Sequence, residues 1–261
     1  LNLPKKIEKK KIVDEFIFYD HSFLNLIKLI KFLKSKKFNK IYYIQEKPNL
    51  YRETRDYLYF RLLGIPKLYG FFEKRLDYAS FSETFQVAKR IDKNISKNKI
   101  LKLIQFKNKI DQPIYKFKYI TISIGGFSQP KVWDIKNWST LIQLISKNHR
   151  YKIIILGTKN DIRNSNFLMR QNKKSILSLC GKTNIKQLLN IIKFSKVHIT
   201  NDNGSMHAAT LFQKKTLCLF NNHDPIGKWY PENKNSKILR PANGINSINP
   251  YKVYTILAKL F

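Results

Sequence analysis

The chain has 261 residues, enough for one large domain or two of about 120 residues each, and two half-size domains are expected. Its 43% hydrophobic and 13% aromatic content excludes an intrinsically disordered tail, which lacks the apolar surface to offset ordering entropy. The formal charge of +33 suggests a phosphate-rich partner, but only nine of the 50 cations are Arg and the chain is also crowded with Ile and Asn. Lys, Ile and Asn are the residues of AT-rich codons, so codon bias is expected to be the main cause, and no arginine-rich stripe marks a nucleic-acid reader.

In chain order, Asp14 to Tyr19 reads as a strand and Phe23 to Lys36 as an amphipathic helix with apolar Leu26, Ile27, Ile30 and Leu33. Its lysine-rich face reads as solvated, or as a face for anionic lipid. Ile41 to Ile44 is the next strand, followed by a helix over Arg52 to Leu63 that Gly64 and Pro66 stop. Lys67 to Phe71 is a short strand, and Ser82 an N-cap for a helix running to Ile95. Asn98 to Lys116 is basic, contains Pro113 and has no clean period, so it reads as a linker.

The pattern then restarts. Strands are expected at Tyr119–Ile124, Tyr151–Leu156, 177–179, Val197–Thr200 and Thr216–Phe220. Helices are expected at Asn137–Lys147, Asp161–Gln171, Ile185–Phe194, Ser205–Phe212 and, opened by Asn249-Pro250, from 250 to 261. This alternation defines an α/β chain with parallel sheets, residues 1–110 forming one Rossmann-like domain and 117–261 a second. The ligand site is expected in the cleft between them, facing the carboxyl ends of the strands.

Cys180 and Cys218 lie beside apolar runs and read as buried, reduced thiols of a cytoplasmic protein. No apolar run approaches the roughly 18 residues needed to span a bilayer, and the charged run Lys5 to Lys11 lacks the apolar core of a signal peptide. The histidines and cysteines show no zinc spacing, and no Walker loop, GxGxxG or Asp-x-Asp pair is present, so no metal and no cofactor are expected. His21, His149 and His198 read as ordinary helix, loop and strand residues.

Thr200-Asn201-Asp202-Asn203-Gly204-Ser205-Met206-His207-Ala208-Ala209 carries the most chemistry, because it follows an apolar strand and opens a helix of small residues. Asn203 and Gly204 permit close backbone approach, and first-turn N–H groups attract an anion such as a diphosphate. Asp202 is placed to accept from sugar hydroxyls and His207 to face the same anion; alternatively Asp202 and Asn203 are simply helix caps. Gly125-Gly126-Phe127-Ser128-Gln129-Pro130-Lys131-Val132-Trp133 is a second loop after a strand. There Lys131 is a candidate counter-charge for a departing diphosphate, or a solvated lysine beside a packing tryptophan.

These two loops, with Trp138, Leu156-Gly157-Thr158-Lys159-Asn160-Asp161 and Cys180-Gly181-Lys182-Thr183, resemble the bacterial heptosyltransferases of glycosyltransferase family 9 over about residues 117–261. A weaker likeness runs through 40–45 and 61–71. The resemblance implies a GT-B fold, two Rossmann-like domains facing a cleft, with the first incomplete here. It implies an inverting, metal-independent transfer of a heptose-like sugar from a nucleotide-diphosphate donor to a lipid-linked glycan, the lipopolysaccharide core or another cell-surface acceptor. By position, Lys131 would neutralise the diphosphate, and Gly204 and Ser205 would offer it backbone amides. His207 would add a donor, Asp202 and Asn203 would hold sugar or phosphate, and Asp161 falls near the family's acidic residue for the nucleoside. The resemblance also implies a cytoplasmic protein with peripheral contact to the anionic inner membrane face, and no nucleic-acid partner.

Two departures stand out. The family's Gly-Pro-Thr turn is replaced by Asn221-Asn222-His223-Asp224-Pro225, and the opening strand with its Gly-Asp loop, the source of the catalytic base, has no match. No catalytic residue is therefore assigned. The chain starts at Leu1, and is expected to be part of a longer protein or, alternatively, a degenerate relative. The competing functional classes are a basic nucleic-acid-binding module and a catalytically inactive nucleotide-sugar-binding protein.

Overall fold

The computed structural model describes residues 23–44, 49–73, 76–104, 110, 112–126, 128–172 and 176–261. The chain divides into two compact units, Leu1–Lys74 and Arg75–Phe261. The expected strand at 14–19 and His21 lie outside the described residues.

The first unit holds α1 (Phe23–Lys36), β1 (Lys40–Tyr42), α2 (Leu50–Leu62) and β2 (Lys67–Tyr69). β1 and β2 pair in parallel, Ile41 opposite Leu68, with α2 as the crossover that parallel pairing requires. α1 half-buries Ile27, Ile30 and Leu33 and exposes Lys28, Lys31 and Lys34, as its three-residue apolar spacing dictates. α2 is capped by Asn49, which accepts from the Arg52 amide. Its buried Glu53 carboxylate accepts from the Phe72 amide at 2.6 Å and closes the turn after β2.

The second unit opens with α3 (Glu83–Ile91), capped by Ser82 as expected, and α4 (Lys97–Ile104), where a linker was expected. The lysine and asparagine content of α4 hides a short helix whose Ile100 packs with Phe85 and Ile95. Ser82 donates to Glu232 at 2.5 Å and the Glu83 amide donates to the Lys228 carbonyl. These bonds tie 76–104 to the C-terminal elements within the second unit.

Six strands follow: β3 (Tyr119–Ser123), β4 (Lys152–Leu156), β5 (Ile176–Ser178), β6 (His198–Asn201), β7 (Thr216–Leu219) and β8 (Ser236–Leu239). All pair in parallel in the order β5-β4-β3-β6-β7-β8. The helices are α5 (Ile135–Asn148), α6 (Ile162–Gln171), α7 (Ile185–Phe194), α8 (Gly204–Thr210) and α9 (Pro250–Ala258). Expected boundaries agree to within a few residues except at β8, an edge strand read as loop because its Ser-Lys-Ile-Leu run is too short to show a period.

Both faces of a parallel sheet are covered, so its strands read as continuous apolar runs. Ile153 and Ile155 of β4 enter one core with Trp133, Trp138, Val253 and Leu257, while Ile154 and Leu156 enter the other with Ile191, Ile192 and Ala209. Trp133 is fully buried, meets Trp138 edge-to-face at 5.0 Å and donates its indole N–H to the Ile248 carbonyl. It is the packing anchor. Cys180 and Cys218 are buried and unpaired, and burial raises both thiol pKa values. Trp133→Ala is expected to cost about 3–5 kcal/mol, read as a lowered midpoint in urea denaturation.

Candidate functional site

The strand order reverses between β3 and β6: chain leaving β3 turns toward β4, chain leaving β6 toward β7. Diverging connections open a crevice beyond the carboxyl ends of these two strands, the usual ligand position in an open parallel sheet. Gly125-Gly126 leaves β3 here and Asp202-Asn203-Gly204 leaves β6.

Lys131 sits in a short 3-10 turn, Gln129–Lys131, and donates to Asp202 at 2.6 Å and to Asp224 at 2.7 Å. Its burial opposes the charge and is the largest single influence, but the two carboxylates together outweigh it and raise the lysine pKa. Asp224 moves the other way. Partial burial disfavours its charge, yet the bond to Lys131, the Trp229 indole and the Lys228 charge leave its pKa lowered. An ammonium has three donors, so one remains to face a ligand.

Asp224 is the residue that reading the sequence missed. It lies in the loop after β7, which the edge strand β8 supports: Arg240, just past β8, donates to the carbonyls of Asn222 and Asp224 at 2.8 and 2.7 Å. Asn221 donates to the Pro130 carbonyl and so ties this loop to the Lys131 turn. The signal was a lone carboxylate at a strand's carboxyl end, inside the segment singled out only for departing from the family pattern.

Asn203 caps α8 and spends its side chain inside the protein. Its Oδ1 accepts from the Ser205 amide (2.9 Å), the Ser205 hydroxyl (2.7 Å) and Thr200 (3.1 Å), and its Nδ2 donates to the Gly125 carbonyl at 2.8 Å. The Ser205 amide, expected to face a diphosphate, is thus committed to Asn203. Asn201 adds Nδ2 bonds to the carbonyls of Ile124 and Gly125. Gly204 differs: a Cβ built there would meet no atom within 4 Å.

Beneath this loop lies a buried relay from Thr121 through His198 to Ser205, each link 2.9 Å. Burial pushes the His198 pKa down to about 3, with the Lys214 charge adding to it, so the ring is neutral. The Ser205 hydroxyl donates to Asn203, so it accepts from His198 Nε2–H, and the bare Nδ1 accepts from Thr121; the bonding network assigns this tautomer.

His207 is solvent-exposed on α8. Crowding around its ring lowers its pKa and the Lys131 charge acts in the same sense, while Asp202 opposes them. Asp161 is drawn into a capping box, accepting from the Thr158 amide and hydroxyl at 2.7 and 2.9 Å. Its carboxylate lies over Gly125, where an added Cβ would stand 2.5 Å from Oδ1. The structure thus gathers Lys131, Asp202 and Asp224 with His207 beside them, holds Asn203 and Ser205 in the supporting cap, and sets Asp161 at the rim of β3 and β4.

A doubly wound parallel sheet, with a lysine braced by two carboxylates at its switch point, defines a Rossmann-like domain. Residues 57–249, more than half of the chain, match the model of glycosyltransferase family 9 (heptosyltransferase), and the chain belongs to that family. Lipooligosaccharide heptosyltransferase 2 of Campylobacter jejuni, from serotype O:6, is 29% identical over 121 residues, which cover 44% of this chain and 37% of that protein. The E. coli ADP-heptose lps heptosyltransferase II structure aligns with a TM-score of 0.59 at 17% identity, covering 89% of this chain and 79% of that one. A family 9 glycosyl transferase from Veillonella parvula gives 0.63 at 14%, covering 91% and 78%. E. coli heptosyltransferase WaaC with ADP gives 0.51 at 16%, covering 84% and 59%. These likenesses establish the fold, the parallel α/β architecture of GT-B glycosyltransferases.

The neutral His198 ties stability to pH with a definite sign. Its folded pKa lies below the unfolded value of 6.5, so its contribution is complete above pH 6.5 and is lost progressively as pH falls toward about 3. In urea titrations between pH 7 and 4, His198→Gln is expected to show a shallower loss of stability than the parent chain.

Proposed function

We propose that the chain acts as an inverting, metal-independent glycosyltransferase that takes a heptose-like sugar from a nucleotide-diphosphate donor. The observation that carries this reading is Lys131, held between Asp202 and Asp224 at the switch point. Its third N–H serves the diphosphate, whose negative charge grows as the glycosidic bond breaks; a fixed cation is worth most where charge develops. Remaining lone pairs of Asp202 and Asp224 accept from donor hydroxyls. Gly204 leaves room for the phosphates and His207 adds a donor from α8. Asn203 and Ser205 act through the cap that fixes the loop, and Asp161 faces the nucleoside side. No residue is proposed as the base that deprotonates the acceptor.

The relatives' names supply the finer terms. Family 9 relatives act on ADP-heptose and lipopolysaccharide or lipooligosaccharide, and WaaC was solved with ADP. The acceptor proposed here is accordingly a lipid-linked glycan of the lipopolysaccharide type, reached from the cytoplasmic side with peripheral contact to anionic lipid. Among the described residues no helix is long and apolar enough to cross a membrane.

Calorimetry with ADP tests the site. Lys131→Ala is expected to weaken binding about 10- to 100-fold, the worth of one charge-assisted hydrogen bond. Gly204→Val is expected to weaken it about tenfold with an unchanged unfolding midpoint, because only ligand space is filled. Unchanged affinity in both variants would overturn the site. A steep salt dependence of DNA binding without saturable ADP binding would favour the nucleic-acid module instead.

His207 adds a pH signature. Its pKa is lowered in the free protein and a bound diphosphate raises it, so binding takes up a proton. ADP affinity is expected to rise as pH falls from the bound-state pKa to the free-state pKa and to level off below it. His207→Gln is expected to flatten that profile.

A further inference from the structure

The opposite edge of the six-stranded sheet carries a second feature. Lys118 and Lys215 stand immediately before β3 and β7, and Lys196 two residues before β6, and parallel strands bring all three starts to one edge. Lys193 at the end of α7 and Lys214 join them around a cavity of about 860 Å³ whose lining contains no Asp or Glu. Strands of four or five residues put this edge roughly 13–17 Å from the Lys131 crevice.

The cavity is built rather than incidental. Lys193 and Lys214 are half-buried, and their ammonium groups donate to the carbonyls of Ile110 (2.7 Å) and Lys193 (2.8 Å). The Lys215 ammonium donates to the Leu260 carbonyl at 3.0 Å. Lys193 also lies over the rings of Phe194 and Phe212. These contacts hold the cations in place but do not neutralise them. Burial first, then repulsion from Lys196 and Lys215, lowers the Lys214 pKa to about 8. Five of the twelve lining residues are lysines, about twice the share that Lys and Arg together have in the whole chain.

We propose that this cavity is an anion site for a small, multiply phosphorylated ligand, distinct from the Lys131 crevice. Its volume suits a nucleotide-sized molecule. Several phosphate oxygens would relieve the mutual repulsion of the five lysines, while Tyr119, Tyr151 and Phe212 provide apolar wall for the remainder. The same chemistry is offered by a soluble polyphosphate and by a phosphorylated lipid headgroup.

Inorganic tripolyphosphate is the probe, titrated calorimetrically into the full chain carrying Lys131→Ala so that the crevice does not contribute. Saturable one-to-one binding is expected. Lys196→Gln with Lys215→Gln should weaken it at least about tenfold, whereas Lys237→Gln with Lys252→Gln, an equal charge change on the exposed faces of β8 and α9, should change it less than about twofold. Sedimentation with phosphatidylcholine vesicles carrying a phosphatidylinositol bisphosphate, a headgroup with several phosphates, forms the second arm. Binding there that is lost in the first pair alone, without tripolyphosphate binding, upholds the site and identifies a lipid headgroup as the source. Equal losses in both pairs, binding in neither arm, or saturation only by a single-stranded oligonucleotide would overturn the proposal.

Discussion

Six parallel strands put all their carboxyl ends on one edge, and that constraint governs the rest of the molecule. The order β5-β4-β3-β6-β7-β8 makes neighbours of two strands whose following segments leave in opposite directions. The crevice they leave is a property of the winding, present before any side chain is chosen. What the sequence adds is the set of short loops that meet there. Gly125 allows the Asp161 carboxylate to lie against the end of β3, and Asn201 and Asn203 draw the β6 loop onto the same carbonyls.

Within that crevice the charges are arranged as an interlocked pair of acids on one base. Lys131 gains from both carboxylates more than burial costs it, which keeps it cationic at any physiological pH. The three groups come from three separate loops, after β3, β6 and β7, so the ion cluster fastens those loops as well as presenting charge. If Lys131 meets the donor as proposed, binding chemistry and local rigidity are the same interaction. Of the chain's many lysines, Lys131 lies at one edge of the sheet beside two acids, and the five cavity lysines lie at the other edge with no acid in the lining.

Much of this was legible in the sequence. The continuous apolar run Ile153 to Leu156 and the caps at Ser82 and Asn249 are local signals, and much of the sheet and its helices followed from such signals. Lys131, Asp202, Gly204 and His207 were singled out because glycine-bearing loops after apolar strands let backbone amides and side chains approach a ligand closely. The rest depended on long-range pairing. β8 is four residues on an edge, with too little apolar content to declare itself, and its loss from the reading hid Arg240 as the support of the β7 loop and Asp224 as the second carboxylate. For Asn203 the sequence left two readings open, helix cap or ligand contact, for a related reason. A cap side chain and a ligand-binding side chain have the same residue type, and only the bonds from Asn203 to Gly125, Thr200 and Ser205 tell them apart.

The Asn203 side chain makes the molecule sensitive to a change of a single atom. Its amide nitrogen donates to the Gly125 carbonyl while its oxygen gathers three donors. Replacing that amide by a carboxylate, as in Asn203→Asp, would exchange the nitrogen for a second oxygen. A carbonyl and a carboxylate would then face each other where a donor and an acceptor had met. The loops after β3 and β6 would be pushed apart by a substitution that leaves the size of the residue unchanged, so the join between them rests on one amide nitrogen.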